Sequence, residues 1–235
     1  MSSMTTMLSI EDEHRHYQRR AAELLDRIVL RDGTTAWIGP LQHKDRADLE
    51  REYETLSYTS KWHRFLGGVQ HLTPALLDAL VDDVDFIDHV ALVVFVDHDG
   101  IPEPAAIGRI VRHESVPDAA DIAITVKDAW QRRGIASELV PRLIGLRPAG
   151  VTHLLTEIST DNAASLALAK HAGTLRIHPA DGVFDIEVDL DDLGVRFPPP
   201  PPGERLHPAL EVDGRAQLRT RDHQHLHPTD EKPQP

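Results

Sequence analysis

The chain has 235 residues, no cysteine and a formal net charge of −13. The length suits one compact domain with extensions or two small domains. Without cysteine there can be no disulfide, thiolate metal site or cysteine nucleophile. The acidic balance argues against general nucleic-acid binding, which needs clustered Lys and Arg to displace counterions.

The longest apolar runs are short, such as residues 90–96, and none could span a bilayer. The first twenty residues lack a basic segment followed by an apolar core, so they do not read as a secretory signal. These features imply a cytoplasmic protein with no membrane or nucleic-acid partner. Any anionic ligand must be held by a local device, because the overall field opposes it.

Residues 10–30 are charged, with Leu24, Leu25, Ile28 and Val29 as an apolar stripe, and read as a helix closed by an Asp32-Gly33 turn. A short strand is expected over 35–38 and a helix over 45–56. A second helix is expected to start at Thr73-Pro74, with Thr73 as cap. Residues 90–96 form a continuous β-branched and apolar run, the pattern of a buried strand, and 106–112 makes a plausible hairpin partner. Residues 121–126 alternate, with Ile122, Ile124 and Val126 on one face and Asp121, Ala123 and Thr125 on the other. A helix over 134–144, a strand over 151–158, a helix over 162–172 and a strand over 183–189 follow. Pro141 falls inside the first of these helices and should kink it.

After Phe197 the character changes. Pro198 to Pro202 make a stiff polyproline segment, and the polar remainder reads as a disordered tail. Its alternating His223, His225 and His227 lack a rigid frame or carboxylate company, so no metal site is expected. The pattern implies a mixed α/β (α+β) domain over 31–196, a helical extension over 1–30 and a Pro-rich tail over 197–235.

The stretch that carries chemistry is DIAITVKDAWQRRGIASELV, residues 121–140. A strand leads through Gln131-Arg132-Arg133-Gly134 into a helix. Glycine lets the backbone approach a ligand, and a helix N-terminus offers unpaired N–H groups at its positive end. Together with the two arginines this is a pyrophosphate site. The plainer reading is a turn with solvated arginines. Neither the Rossmann nor the Walker glycine spacing is present.

Gln131-x-x-Gly134-x-Ala136 resembles the Q/R-x-x-G-x-G/A motif of the GCN5-related N-acetyltransferases (GNAT). Thr160-Asp161-Asn162, with a helix ending at Gly173, is similar to the family's second block. Residues 30–33, Arg64-Phe65 and 89–93 resemble bacterial Pat-type protein lysine acetyltransferases. The resemblance spans about residues 30–190. It implies a central mixed, mostly antiparallel twisted sheet of six or seven strands, splayed at the cofactor site, with helices on both faces.

It further implies acetyl-CoA as cosubstrate and no metal. The pantetheine would lie along Ile124, Thr125 and Val126. The pyrophosphate would sit on Gln131 and the amides of Arg132, Arg133, Gly134, Ile135, Ala136 and Ser137, with Asn162 positioning the arm or the acceptor. The acceptor is a primary amine, first a protein lysine and alternatively a small-molecule amine. A third reading is a non-catalytic acyl-CoA-binding regulatory domain.

An amine must be neutral to attack a thioester, and a free lysine, with a pKa of about 10.4, is protonated at neutral pH. Pat-type enzymes use a glutamate early in the central strand as base, and Asp121 occupies the matching position, one methylene shorter. Its plainer role is to pair with Arg109 or Arg112 across the hairpin. A backbone N–H near Val126 would stabilise the oxyanion. Where many family members place a tyrosine acid, this chain has Ala169.

Overall fold

A computed structural model describes residues 26–190 together with residues 12, 15–17, 19 and 20, these last six in helical conformation. The Pro-rich segment and the tail histidines lie outside the described residues. The helix expected to run to residue 30 stops earlier. Asp26–Val29 is instead strand β1, antiparallel to β2 (Thr35–Pro40). The β-branched Ile28 and Val29 stand directly before the Asp32-Gly33 turn, and Gly33 takes φ 86° there, so a hairpin wins over helix continuation.

Three helices follow: α1 (Arg46–Glu54), α2 (Tyr58–Phe65) and α3 (Pro74–Leu77), the last widening into a π turn over Asp78–Asp82. Thr73 caps α3 by accepting the Leu76 N–H at 3.2 Å, as its sequence signature predicts. Helix α2 carries its apolar residues Tyr58, Trp62 and Phe65 at i, i+4 and i+7, and it is capped by Ser57, whose hydroxyl accepts the Ser60 N–H at 3.2 Å. Then come β3 (His89–His98), β4 (Ile101–Arg112), β5 (Ala119–Val126), α4 (Ile135–Gly145), β6 (His153–Ser159), α5 (Ala163–Ala172), β7 (Thr174–Ala180) and β8 (Val183–Asp189).

The eight strands make one sheet in the order β1-β2-β3-β4-β5-β6-β8-β7. Every neighbouring pair is antiparallel except β5–β6. The sheet exceeds the expected six or seven strands through β1 and β7. Strand β7 is an exposed edge ending in Pro179-Ala180, and its Leu175–Ile177 alternation is too short to mark it against the turn residues that follow.

Strand β3 explains its unbroken apolar run by feeding two cores. Val90, Leu92, Val94 and Val96 pack with α4 and α5, while Ala91, Val93 and Phe95 pack with α1–α3 and Tyr17. Helix α4 runs through Pro141 without interruption, burying Ile135, Leu139, Leu143 and Ile144. Gly173 ends α5 against β8, where a Cβ would come within 2.2 Å of the Asp189 carbonyl oxygen. No helix among the described residues is long and apolar enough to cross a membrane.

Candidate active site

Strands β5 and β6 pair only at their beginnings, Ala119 with His153 and Ala120 with Leu154. Beyond that they part and leave a cleft. The direction of the β5 backbone groups follows from three bonds. The Lys127 N–H donates to Ala105 O at 2.9 Å on the β4 side. Thr156 Oγ1 donates to Ile122 O at 3.4 Å on the β6 side, and Gln131 Nε2 reaches Val126 O at 3.1 Å. Because backbone groups alternate along a strand, the amides of Ile124 and Val126 face the cleft and have no strand partner there. Ala105 is the extra residue of a bulge in β4, opposite the Val94/Phe95 register shift, and it bends the ladder beside the cleft.

The loop after β5 turns sharply. Arg132 has φ 63° and Gly134 φ 93°. Gly134 precedes α4 with no side-chain cap, and among the described residues no acceptor meets the amides from Arg132 to Ser137. Gln131 does not project freely: its Nε2 ties Val126 O to Ser60 Oγ, the latter at 3.2 Å. Arg133 lies over the Trp130 ring at 4.6 Å and pairs with Asp32 at 3.4 Å, whereas Arg132 is exposed and has no ion-pair partner among the described residues.

Asp128 anchors α2 to this loop. Its carboxylate accepts from Ser57 N (2.9 Å), Ser57 Oγ (2.8 Å) and Ser60 Oγ (2.8 Å). Burial pushes this carboxyl up, and those hydrogen bonds outweigh it and hold the group below the usual range. The far end of α2 reaches across to the β6–α5 connection, where His63 Nε2 meets Asp161 Oδ1 at 2.9 Å. Hydrogen bonds from Ser159 and His63 hold Asp161 below its ordinary value. Asn162 caps α5, its Oδ1 accepting the Ser165 N–H at 3.1 Å, so its side-chain NH₂ is the group left for other partners.

Asp121 lies on the α1–α3 face of the sheet with Ala123 and Thr125, as the alternation predicted. It sits opposite Val111 and diagonal to Arg109. It pairs with neither Arg109 nor Arg112. Arg112 pairs instead with Asp88 at 2.7 Å, and Arg109 donates to Leu80 O at 3.2 Å and to His89 Nε2 at 3.3 Å. Asp121 has no hydrogen-bond partner among the described residues, although its charge acts on both Arg64 and Arg109. On the same face of the sheet, a cavity of about 90 Å³ is lined by Arg64, Arg109, Thr125, Lys127, Tyr53 and Phe65, among others.

The GNAT acetyltransferase domain model matches residues 37–174. The chain belongs to this family. It is 33% identical over 141 residues to Acetyltransferase PA5475 of Pseudomonas aeruginosa, covering 59% of this chain and 73% of that protein. It is 30% identical over 182 residues to Acetyltransferase Pat of Mycolicibacterium smegmatis, covering 74% of this chain and 52% of Pat, so it spans about half of Pat's length. Among solved structures, the GNAT domain of S. lividans PAT superposes with a TM-score of 0.61 at 31% identity, covering 70% of this chain and 96% of that domain. The fold also matches yncA of Salmonella typhimurium, solved with its cofactor acetyl-CoA, with a TM-score of 0.52 at 18% identity, covering 68% of this chain and 96% of yncA.

The chain is thus a GNAT N-acetyltransferase of Pat-like type, with the expected mixed sheet and helices on both faces. The structure turns the amides of Ile124 and Val126 toward the parted β5–β6 edge, sets residues 132–137 in the loop and first turn that lead into α4, places Thr125 and Asp121 on the α1–α3 face, and sets Asn162 at the start of α5. Sequence reasoning did not assign roles to Asp128, His89, Arg64 and Arg109 in this GNAT site. A buried arginine in a strand gives no periodic signal beyond a broken apolar alternation, which Arg109 between Ile107 and Val111 does provide.

Proposed function

We propose that the chain moves the acetyl group of acetyl-CoA to a primary amine, with Asp121 as the base. The observation that carries this reading is the carboxylate of Asp121 on the central strand, without a hydrogen-bond partner among the described residues, beside a parted β5–β6 cleft. The pantetheine arm pairs with the outward amides of Ile124 and Val126. The pyrophosphate rests on the amides of residues 132–137 at the start of α4, with Arg132 adding charge. No metal takes part.

The acceptor ammonium gives its proton to Asp121. Its nitrogen attacks the thioester carbon, the N–C bond forms, and a cleft-facing β5 amide steadies the oxyanion. The C–S bond breaks, the nitrogen gives up its second proton, which passes through water to the coenzyme A thiolate, since Ala169 stands where a tyrosine acid is common, and Asp121 returns its own proton to solvent. The Pat-type resemblance supports a protein lysine as acceptor. The small volume of the cavity lined by Arg64 and Arg109 favours the second reading, a small-molecule amine.

Asp121→Asn tests the assignment. Turnover of acetyl-CoA with Nα-acetyl-lysine amide and a panel of small amines should fall about 10²- to 10⁴-fold, while acetyl-CoA affinity by calorimetry stays unchanged. Equal turnover in the variant removes Asp121 as base. Binding without turnover in the unmodified protein, over that panel and a lysine-peptide library, favours the acyl-CoA-binding regulatory reading.

A further inference from the structure

Two cations act by charge on Asp121, Arg109 from the diagonal position on β4 and Arg64 from α2, and neither is within ion-pair distance of a carboxylate among the described residues. Arg109 is only 5% exposed. Its Nη1 is held by a backbone carbonyl and by His89 Nε2. His89 is itself buried, and desolvation followed by the Arg109 charge pushes it down to about 4. It is therefore neutral at physiological pH and adds no further positive charge. Arg64 comes from α2, lines the same cavity, and lies 4.6 Å over the Phe65 ring. Burial lowers both guanidinium groups, and Asp121 opposes that effect in each. Arginine keeps its proton regardless.

The surrounding charges are already paired. Lys127 meets Glu52 at 2.6 Å, Arg20 meets Asp45 at 2.7 Å, and Asp48 takes Arg51 at 2.6 Å and His16 at 2.5 Å. Asp85 keeps its charge but is solvent-exposed, accepting from the amides of residues 87–89, and Tyr53 Oη donates to Val69 O. Two arginines around one aspartate leave an excess of one positive charge where the acceptor nitrogen must arrive.

We infer that Arg64 and Arg109 are positioning residues that destabilise the acceptor ammonium, so that the amine is bound neutral and ready to attack. The inference rests on Asp121 marking the acceptor site. A cation close to a bound ammonium disfavours its charged form, and the proton leaves by way of Asp121. This deepens the base assignment: a carboxylate alone would hold the ammonium as an ion pair, whereas the net positive surroundings expel its proton.

Arg64→Gln and Arg64→Lys separate this from a packing role. The acid limb of kcat against pH reports the bound complex. With Nα-acetyl-lysine amide or the best small amine, Arg64→Gln should move that limb upward by about one pH unit. Arg64→Lys, which keeps the charge, should restore it. A uniform drop in kcat with an unmoved limb overturns the inference and leaves acetyl transfer standing.

A second readout needs no turnover. The same amine is titrated into the enzyme holding coenzyme A at pH 8, in two buffers of different ionisation enthalpy. Wild type should release about one proton per amine bound, and Arg64→Gln clearly less. Equal release in both overturns the inference. Failure of the wild type to bind coenzyme A overturns the acetyltransferase reading itself, and this inference with it.

Discussion

The cleft edge of β5 and its α1–α3 face are built by different means. On the cleft side the working groups are backbone amides of Ile124, Val126 and the loop before α4, set by a glycine at φ 93° and a helix start. On the other side they are long side chains, Arg64 from α2, Arg109 from β4 and Asp121 from β5, brought together by packing over many residues. A site made of backbone is a local property of the chain. A site made of converging side chains exists only once three helices have closed over the sheet.

That contrast can be tested by substitution, first where the effect should be largest. His89 supports the side-chain face, and its neutral form is favoured in the folded state. The unfolded chain therefore binds the extra proton between pH 6.5 and about 4. Stability from this residue is fully present above pH 6.5 and is lost as pH falls through that window, by roughly 3 kcal/mol. Chemical denaturation at pH 7 and pH 4.5 should show His89→Gln losing this part of the acid dependence. An unchanged slope would mean that His89 does not hold Arg109 as described.

The backbone face should fail differently. Gly134→Val forces a β-branched residue into the left-handed region, a strain of about 1–3 kcal/mol. Acetyl-CoA affinity measured by calorimetry should weaken about tenfold or more, with Asp121 and its arginines untouched. If affinity holds, the pyrophosphate rests elsewhere.

The smallest effect sharpens the boundary between the two. Asn162→Ala removes the α5 cap and should cost about 1 kcal/mol of stability. Asn162→Asp keeps a capping oxygen but loses the NH₂ donor. Thermal melting should show the aspartate variant close to wild type. A loss of acetyl-CoA affinity in both variants then assigns that donor to the cofactor; no loss in either leaves Asn162 as a cap alone.

Much of the fold could be read from pattern. The run at 90–96, the alternation at 121–126 and the Thr73-Pro74 cap each state a local preference that the tertiary structure keeps. Helix α2 and strand β7 were missed for opposite reasons. The first mixes polar and aromatic residues because it bridges the Asp128 anchor and Asp161 instead of burying a single stripe. The second is an exposed edge held by its hydrogen bonds to β8. In the N-terminal segment Ile28 and Val29 fit a helical apolar stripe equally well, and only pairing with β2 makes them a strand.

The sequence by itself determined the strand–glycine–helix unit from Asp121 onward, because turn geometry, helix start and face alternation are properties of neighbouring residues. It also placed Asp121 on the face away from Ile122 and Ile124. Only the tertiary structure decided that Asp121 finds no hydrogen-bond partner across the hairpin among the described residues, that Arg64 and Arg109 feel its charge, and that burial favours the neutral form of His89. Those facts depend on how far charges lie from one another and from water, and such distances are fixed by packing between segments remote in sequence.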